Sequence, residues 1–85
     1  MKTFTYTIKD ELGIHARPAG MLAKTAKAFD SEVTITKGDK TVGASKLMAL
    51  MGLGVKCGDT ITITANGGDE DAAIESMKAF LEANL

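Results

Sequence analysis

Residues 61–71 have the sequence Ile61-Thr62-Ile63-Thr64-Ala65-Asn66-Gly67-Gly68-Asp69-Glu70-Asp71, which predicts a strand, a turn and the start of a helix. Apolar residues alternate with threonines over the first part, as in a strand with one buried face. The Asn-Gly-Gly step interrupts this pattern, and the three carboxylates follow where the positive end of a helix dipole favours negative charge. The predicted helix then carries an apolar stripe, Ala73, Ile74, Met77 and Leu81.

Two other segments repeat the alternating pattern of the strand. Thr3–Ile8 places Phe4, Tyr6 and Ile8 on one face, and Val33–Thr36 is a shorter version of the same alternation. Lys37-Gly38-Asp39-Lys40 has the composition of a tight turn, so Thr41-Val42 is predicted to return as a short fourth strand of a hairpin.

Two more helices are predicted between the strands. The first begins near Pro18, because proline suits the first turn of a helix, and its stripe is Ala19, Leu22, Ala23, Ala26 and Phe29. The second is short, Leu47 to Met51, with Ser45 as its N-cap, Leu47 and Leu50 able to face a core, and Gly52 and Gly54 at its end.

The element order is therefore βαββαβα over residues 1–85, which we interpret as a single domain. Each element has one apolar face, whereas the threonine faces can remain in contact with water. This predicts the α+β class, with a mostly antiparallel four-stranded sheet and the helices on one face.

Composition excludes several classes of function. The chain has 85 residues, 45% of them apolar, and 10 basic against 11 acidic residues. Its core is thin, which disfavours a deep catalytic cleft, and its net charge of −1 gives no reason to expect nucleic-acid binding. The lone Cys57 cannot form an intramolecular disulfide, and no apolar run approaches the roughly 20 residues of a membrane span. We expect a cytoplasmic protein that does not insert into membranes.

The one histidine, His15, lies where a loop meets the first predicted helix. The N-terminus of a helix offers unpaired N–H groups and positive charge to an anion, and Arg17 adds a guanidinium. This arrangement suits phosphoryl transfer through a phosphohistidine, although a lone histidine in a loop is also often a solvated cap residue. One His and one Cys are too few for a zinc site, and nothing in the sequence places Ser45 or an aspartate beside His15 as a triad. No phosphate-binding loop for ATP is present, so the phosphoryl group would come from a partner, and no cofactor is expected.

Basic and apolar residues near His15 predict a docking face. Leu12 to Phe29 contains no acidic residue, and Arg17, Lys24 and Lys27 fall on neighbouring exposed rows of the helix. An ordinary solvated face is the more frequent explanation for such charges, and Met48 and Met51 can equally fill the core. A basic rim around exposed methionines is what a docking face for acidic partners would present.

Two motifs resemble those of the HPr family, the histidine phosphocarriers of the phosphoenolpyruvate-dependent sugar phosphotransferase system. They are Gly13-Ile14-His15-Ala16-Arg17-Pro18-Ala19 before a helix and Lys46-Leu47-Met48-Ala49-Leu50-Met51-Gly52-Leu53-Gly54 before a strand. The resemblance covers nearly the whole chain. It implies an open-faced β-sandwich and a phosphoryl carrier with no independent enzymatic turnover. We expect a monomer from the size of the chain and from the need to expose His15.

The resemblance also implies partners and site residues. His15 would accept a phosphoryl group on Nδ1 from phosphorylated enzyme I and pass it to EIIA domains for sugar uptake. Arg17 would stabilise the phosphoryl group, Pro18 would shape the start of the helix, and Ala16, Arg17 and Pro18 together would form the phosphate-binding segment. The residues implied to bind partners are Gly20, Lys24, Lys27, Leu47, Met48 and Met51.

This sequence departs from the family pattern at two positions. Lys46 stands where members from low-GC Gram-positive bacteria have a regulatory serine, and the adjacent Ser45 is one residue out of register, so no regulatory serine is expected. Leu12 replaces a small polar residue, which removes one side-chain contact to the phosphate. A module of the same fold that only docks on regulatory proteins is the alternative, but such members replace the histidine, which is present here.

Overall fold

The computed structural model describes residues 1–85 and contains four strands and three helices. The strands are β1 (Lys2–Thr7), β2 (Glu32–Lys37), β3 (Lys40–Gly43) and β4 (Thr60–Asn66). The helices are α1 (Ala16–Lys27), α2 (Leu47–Gly52) and α3 (Glu70–Asn84). The predicted βαββαβα order is confirmed, with each strand end one residue away from its predicted position.

The four strands form one antiparallel sheet in the order β1-β4-β2-β3. The alternating segment in β4 lies inside the sheet and pairs with a strand on each side. Its register aligns one apolar row across all four strands, Phe4, Ile63, Ile35 and Val42. The neighbouring row consists of threonines, Thr5, Thr62, Thr36 and Thr41. Since successive side chains point to opposite faces, the apolar rows meet the core and the threonines face solvent.

The helices cover the apolar face of the sheet, as predicted. Helix α1 buries Ala19, Leu22, Ala23 and Ala26, and α3 buries Ala73, Met77, Phe80 and Leu81. Helix α2 contributes only Leu50 to the core. Each large apolar side chain that is fully buried stabilises the fold by about 1.5–3 kcal/mol. No helix is long and apolar enough to span a membrane, and the longest, α3, has 15 residues.

Helix α1 begins earlier than Pro18, the predicted start. The backbone of His15 is extended and its carbonyl accepts the N–H of Ala19 at 2.9 Å, so His15 is the N-cap and Ala16 the first helical residue. Pro18 is the third residue of the helix. A backbone N–H at this position would have no intrahelical partner, so proline loses no hydrogen bond there. Phe29, which the prediction placed on the helical stripe, lies beyond the end of the helix and is partly buried.

The predicted start of α2 at Leu47 is confirmed, but the prediction of Ser45 as its N-cap is wrong. The N–H of Lys46 donates to the carbonyl of Gly43 at 3.1 Å, so residues 43–46 form a turn. The first helical hydrogen bond runs from Leu50 to the carbonyl of Lys46 at 3.0 Å, which makes Lys46 the N-cap. Leu47, which was also able to face the core, is exposed, whereas Leu50 is fully buried as predicted.

Asp69, just before α3, holds the loop between α1 and β2. Its carboxylate accepts the hydroxyl of Ser31, the N–H of Asp30 at 2.9 Å and the N–H of Ser31 at 2.8 Å. These bonds, with the Ser31 hydroxyl first, lower the pKa of Asp69 below its usual 3.8. Gly67 allows the close approach, because a Cβ there would lie 2.7 Å from the Cα of Ser31.

Asp69→Asn should lower Tm at pH 7 by about 4–8 °C, because the ionised carboxylate accepts three hydrogen bonds in the folded chain. A carboxyl whose pKa is depressed by folding stabilises the fold above its unfolded pKa, and this stabilisation is lost as the pH falls through the folded value. The Tm difference between the two proteins should therefore shrink below pH 3.8. Thermal unfolding followed by circular dichroism checks this at pH 7 and pH 3.

The matched control is Asp71→Asn, in the first turn of the same helix. The Asp71 carboxylate is exposed and contacts only Lys2, at 3.4 Å. We expect a small Tm change for this variant. An equal loss of Tm in both variants would mean that the negative charge at the helix end, rather than the hydrogen bonds to residues 30 and 31, stabilises the fold.

Candidate functional site

The His15 loop, residues 9–15, is held at both ends by backbone hydrogen bonds. The carbonyl of Leu85, at the end of α3, accepts the N–H groups of Lys9 at 2.6 Å and Asp10 at 2.9 Å. At the other end, the N–H of Ile14 donates to the carbonyl of Val55 at 3.2 Å. The loop is thus positioned by two segments that are distant in sequence.

Gly13 makes this approach to Val55 possible. Its φ is +65°, and a Cβ at this position would lie 2.2 Å from the carbonyl oxygen of Val55. Only glycine combines this backbone conformation with such close contact. The supporting loop is itself held by Asp59, whose carboxylate accepts the N–H of Lys56 at 2.8 Å and pairs with Lys37 at 3.0 Å. These contacts, with the Lys56 N–H first, lower the pKa of Asp59.

His15 is the N-cap of α1, but its side chain makes no capping hydrogen bond. The imidazole is 37% exposed, and its Nε2 lies 3.9 Å from Oδ1 of Asp10. The first turn of α1 has unused donors, because the N–H groups of Ala16 and Arg17 have no hydrogen-bond partner and Pro18 has no N–H. The imidazole therefore lies at a helix end with two free N–H donors, an arrangement suited to an anion.

A shallow hollow of about 230 Å³ adjoins the imidazole. It is lined by Asp10, His15, Arg17, Pro18, Met21 and Asn84. The guanidinium of Arg17 makes no ion pair or hydrogen bond within the chain, and no acidic residue lies in the first turn of α1. Positive charge near the hollow is thus available to a bound anion. The structure contains no group of three or more His, Cys, Asp or Glu residues able to hold a metal ion.

Two exposed lysines, Lys24 and Lys27, follow Arg17 along α1. We call Arg17, Lys24 and Lys27 the basic side; both lysines are exposed and neither forms an ion pair. Gly20 lies between Arg17 and Lys24 in sequence and is half-buried, and a Cβ there would meet open space. The surface above Gly20 is therefore free of other side chains.

Three apolar side chains of α2 are exposed. We call Leu47, Met48 and Met51 the apolar patch; they are 40%, 81% and 42% exposed. Core filling, the alternative for the methionines, is therefore wrong, and the exposure agrees with the prediction of a surface patch. Leu50 anchors α2 in the core, and α2 packs on α1, so the apolar patch and the basic side are carried by neighbouring helices.

Residues 2–83 match the family model described as "PTS HPr component phosphorylation site". The chain belongs to the HPr family. Proteins of this family are phosphocarriers of the phosphotransferase system, and the resemblance drawn from the two motifs is confirmed.

Curated relatives and solved structures agree with this membership. The phosphocarrier protein HPr of Mycoplasma genitalium is 46% identical over 85 residues, which is 99% of this chain and 97% of that protein. HPr of Mycoplasma capricolum is 42% identical over 78 residues, covering 92% of this chain and 88% of that protein. The solved histidine-containing phosphocarrier protein of a Mycoplasma has a TM-score of 0.94 and 39% identity, with 96% of this chain and 93% of that chain covered.

Three residues that line the hollow of this HPr chain were not predicted from the sequence. Asp10, Met21 and Asn84 line it beside the predicted His15, Arg17 and Pro18. Met21 falls next to the apolar stripe of α1, and an off-stripe methionine was a signal that could have identified it. No sequence signal places Asp10 or Asn84 there, because both depend on how the end of α3 meets the His15 loop.

Proposed function

We propose that His15 of this HPr chain accepts a phosphoryl group on Nδ1 from phosphorylated enzyme I and passes it to EIIA domains. The observation that carries the proposal is the exposed imidazole at a helix end where Ala16 and Arg17 have free N–H donors. Preorganised donors of this kind lower the energy of a transferring phosphoryl group without reorganisation. The chain acts as a carrier and has no turnover of its own.

The transfer is a displacement at phosphorus. The Nδ1 lone pair of His15 attacks the phosphorus of the donor's phosphohistidine, so an N–P bond forms on His15 as the donor's N–P bond breaks. The electron pair of the broken bond returns to the donor's imidazole, and the proton on Nε2 of His15 stays in place. The N–H groups of Ala16 and Arg17 and the Arg17 guanidinium stabilise the phosphoryl oxygens. Transfer to EIIA is the same step with this chain as donor.

Partner docking involves the apolar patch and the basic side together. Burying Leu47, Met48 and Met51 against a partner supplies apolar contact area, and methionine side chains adapt to surfaces of different shape. Arg17, Lys24 and Lys27 attract an acidic rim on the partner. A single copy of the chain presents all of these residues, so the proposed active form is a monomer.

A reconstituted reaction tests the function. The chain is incubated with phosphoenolpyruvate, magnesium and a catalytic amount of enzyme I, then with an EIIA domain and its sugar permease. We expect one acid-labile phosphate per chain, bonded to Nδ1 in nitrogen–phosphorus NMR, and its discharge to the sugar when EIIA is present. Acid-stable phosphate on a hydroxyl, or phosphate that EIIA cannot remove, would contradict the proposal.

Lys24→Glu is expected to slow association with enzyme I by about 10-fold at low ionic strength, with a smaller effect at high salt. The physical reason is that long-range attraction to an acidic partner changes the rate of encounter more than the rate of dissociation. Stopped-flow association measured across a salt series checks this. Lys78→Glu on α3 makes the same charge change at an exposed lysine outside the basic side and should leave the rate nearly unchanged. Equal slowing in both variants would mean that net charge, not the basic side, steers docking.

A further inference from the structure

Asp10 is the one acidic residue within ion-pair distance of His15. Its Oδ1 lies 3.9 Å from Nε2 of the imidazole, the ring nitrogen other than the proposed nucleophile Nδ1. The distance is too long for a hydrogen bond but short enough for electrostatic attraction. The Asp10 carboxylate is 30% exposed, so water only partly screens this attraction.

The carboxylate of Asp10 is held in place by its own hydrogen bonds. Oδ1 accepts the N–H of Leu12 at 2.8 Å, which closes a turn within the His15 loop. The Asp10 carbonyl accepts the N–H of Gly13 at 3.0 Å, and its N–H donates to Leu85 at 2.9 Å. The Asp10 side chain is therefore already ordered before the imidazole reacts, and its negative charge remains near Nε2 of His15.

We propose that Asp10 is a positioning residue that keeps the proton of the neutral imidazole on Nε2 and so leaves the lone pair of Nδ1 free. A neutral histidine carries its proton on one ring nitrogen, and a carboxylate beside one nitrogen favours the N–H there. The inference rests on the proposed function for its consequence, since Nδ1 is the nucleophile in that reaction. The tautomer itself is a property of the unphosphorylated chain.

Asp10 also favours the phosphorylated product. When the N–P bond forms at Nδ1 and Nε2 keeps its proton, the ring gains positive charge. The carboxylate near Nε2 attracts that charge, whereas the free N–H groups of Ala16 and Arg17 attract the phosphoryl oxygens. The two ends of the phosphohistidine are thus stabilised by groups of opposite sign on either side.

Asp10→Asn removes the negative charge of residue 10 but keeps its hydrogen bond to the turn. An asparagine oxygen can still accept the N–H of Leu12, but the negative charge is gone and the amide N–H₂ group can donate toward Nε2. The control is Glu11→Gln, which removes a negative charge from the next residue of the same loop, where the side chain is exposed and makes no ion pair. Asp10→Ser, whose hydroxyl can also accept the N–H of Leu12, replaces Asp10→Asn if the latter does not fold.

The first measurement is ¹⁵N NMR of the His15 ring nitrogens at a pH where the imidazole is neutral. We expect the ratio of the Nδ1–H to the Nε2–H tautomer to rise about threefold to tenfold in Asp10→Asn and to stay at the wild-type value in Glu11→Gln. An unchanged ratio in Asp10→Asn, or an equal change in both variants, would overturn the proposal whatever the phosphorylation assay shows.

The second measurement is the equilibrium of phosphoryl transfer with enzyme I. We expect Asp10→Asn to shift it toward phosphorylated enzyme I by about threefold to tenfold, and Glu11→Gln by less than about twofold. A tautomer shift in a chain that never accepts phosphate would support the role of Asp10 and contradict the proposed function. A transfer equilibrium that is the same in all three proteins would overturn the part of the proposal that concerns the phosphorylated product.

Discussion

No acid-labile phosphate is expected on the His15→Ala variant, and phosphoryl transfer should fall by a factor of at least about 10³. The chain has a single histidine, so no second imidazole can replace it. Ser45 is half-buried at the turn before α2, whereas the free N–H donors of Ala16 and Arg17 lie at the start of α1. Mass spectrometry after incubation with phosphoenolpyruvate, magnesium and enzyme I measures the phosphate directly.

This substitution should leave the fold intact. The imidazole is 37% exposed and makes no capping hydrogen bond, so its removal opens no cavity and breaks no helix contact. The free energy of unfolding should change by no more than about 0.5 kcal/mol. Acid-labile phosphate on a folded His15→Ala chain would contradict the role of His15 in the mechanism. Denaturant unfolding accompanies the assay, because loss of phosphate is attributed to the missing imidazole only in a variant that folds.

Ala16→Pro should slow phosphoryl transfer by about 10²- to 10³-fold without destabilising the chain. Ala16 is the first residue of α1, where proline is favoured because no intrahelical partner is lost. The preceding His15 has φ −111° and ψ −179°, an extended conformation that proline accepts in the residue before it. The substitution therefore removes one of the two free N–H donors and keeps the helix start.

Single-turnover transfer from phosphorylated enzyme I measures the loss. Ala16→Ser is the matched control, since it adds a polar side chain at the same position but keeps the backbone N–H, and its transfer rate should stay within about threefold of wild type. A wild-type rate in Ala16→Pro would show that the N–H of Ala16 does not contact the transferring phosphoryl group. Thermal unfolding should give the proline variant a Tm equal to or above that of wild type.

The strands and α3 could be predicted because their signals are local. Alternation of apolar residues and threonines fixes which face of β1, β2 and β4 is buried, and the acids of residues 69–71 mark the start of α3. The free donors at the start of α1 were also predictable in kind, since any helix leaves its first N–H groups unpaired. Which residues carry these free N–H groups was not predictable, because Pro18 indicates the first turn of α1 but not the residue at which the helix begins.

The start of α2 shows why local signals can fail. Ser45 has the preferred chemistry of an N-cap, yet the turn that leaves β3 uses the N–H of Lys46 and places the N-cap one residue later, at Lys46. That turn depends on the pairing of β3 with β2 and on the N–H of Ala44 reaching Val33 at 2.8 Å. The pairing of the two hairpin strands therefore outweighed the preference of one side chain.

The sequence by itself determined the element order, the buried faces, the histidine before the first helix and the family motifs, because each depends on residues that are neighbours in the chain. The tertiary structure alone decided what surrounds that histidine. Leu85 at the end of α3 binds the backbone of Asp10, and Val55 meets Gly13, so segments far apart in sequence fix the His15 loop. Asp10 lies near Nε2 for this reason, since packing of the sheet and helices, rather than the local sequence, sets the distance between the carboxylate and the ring.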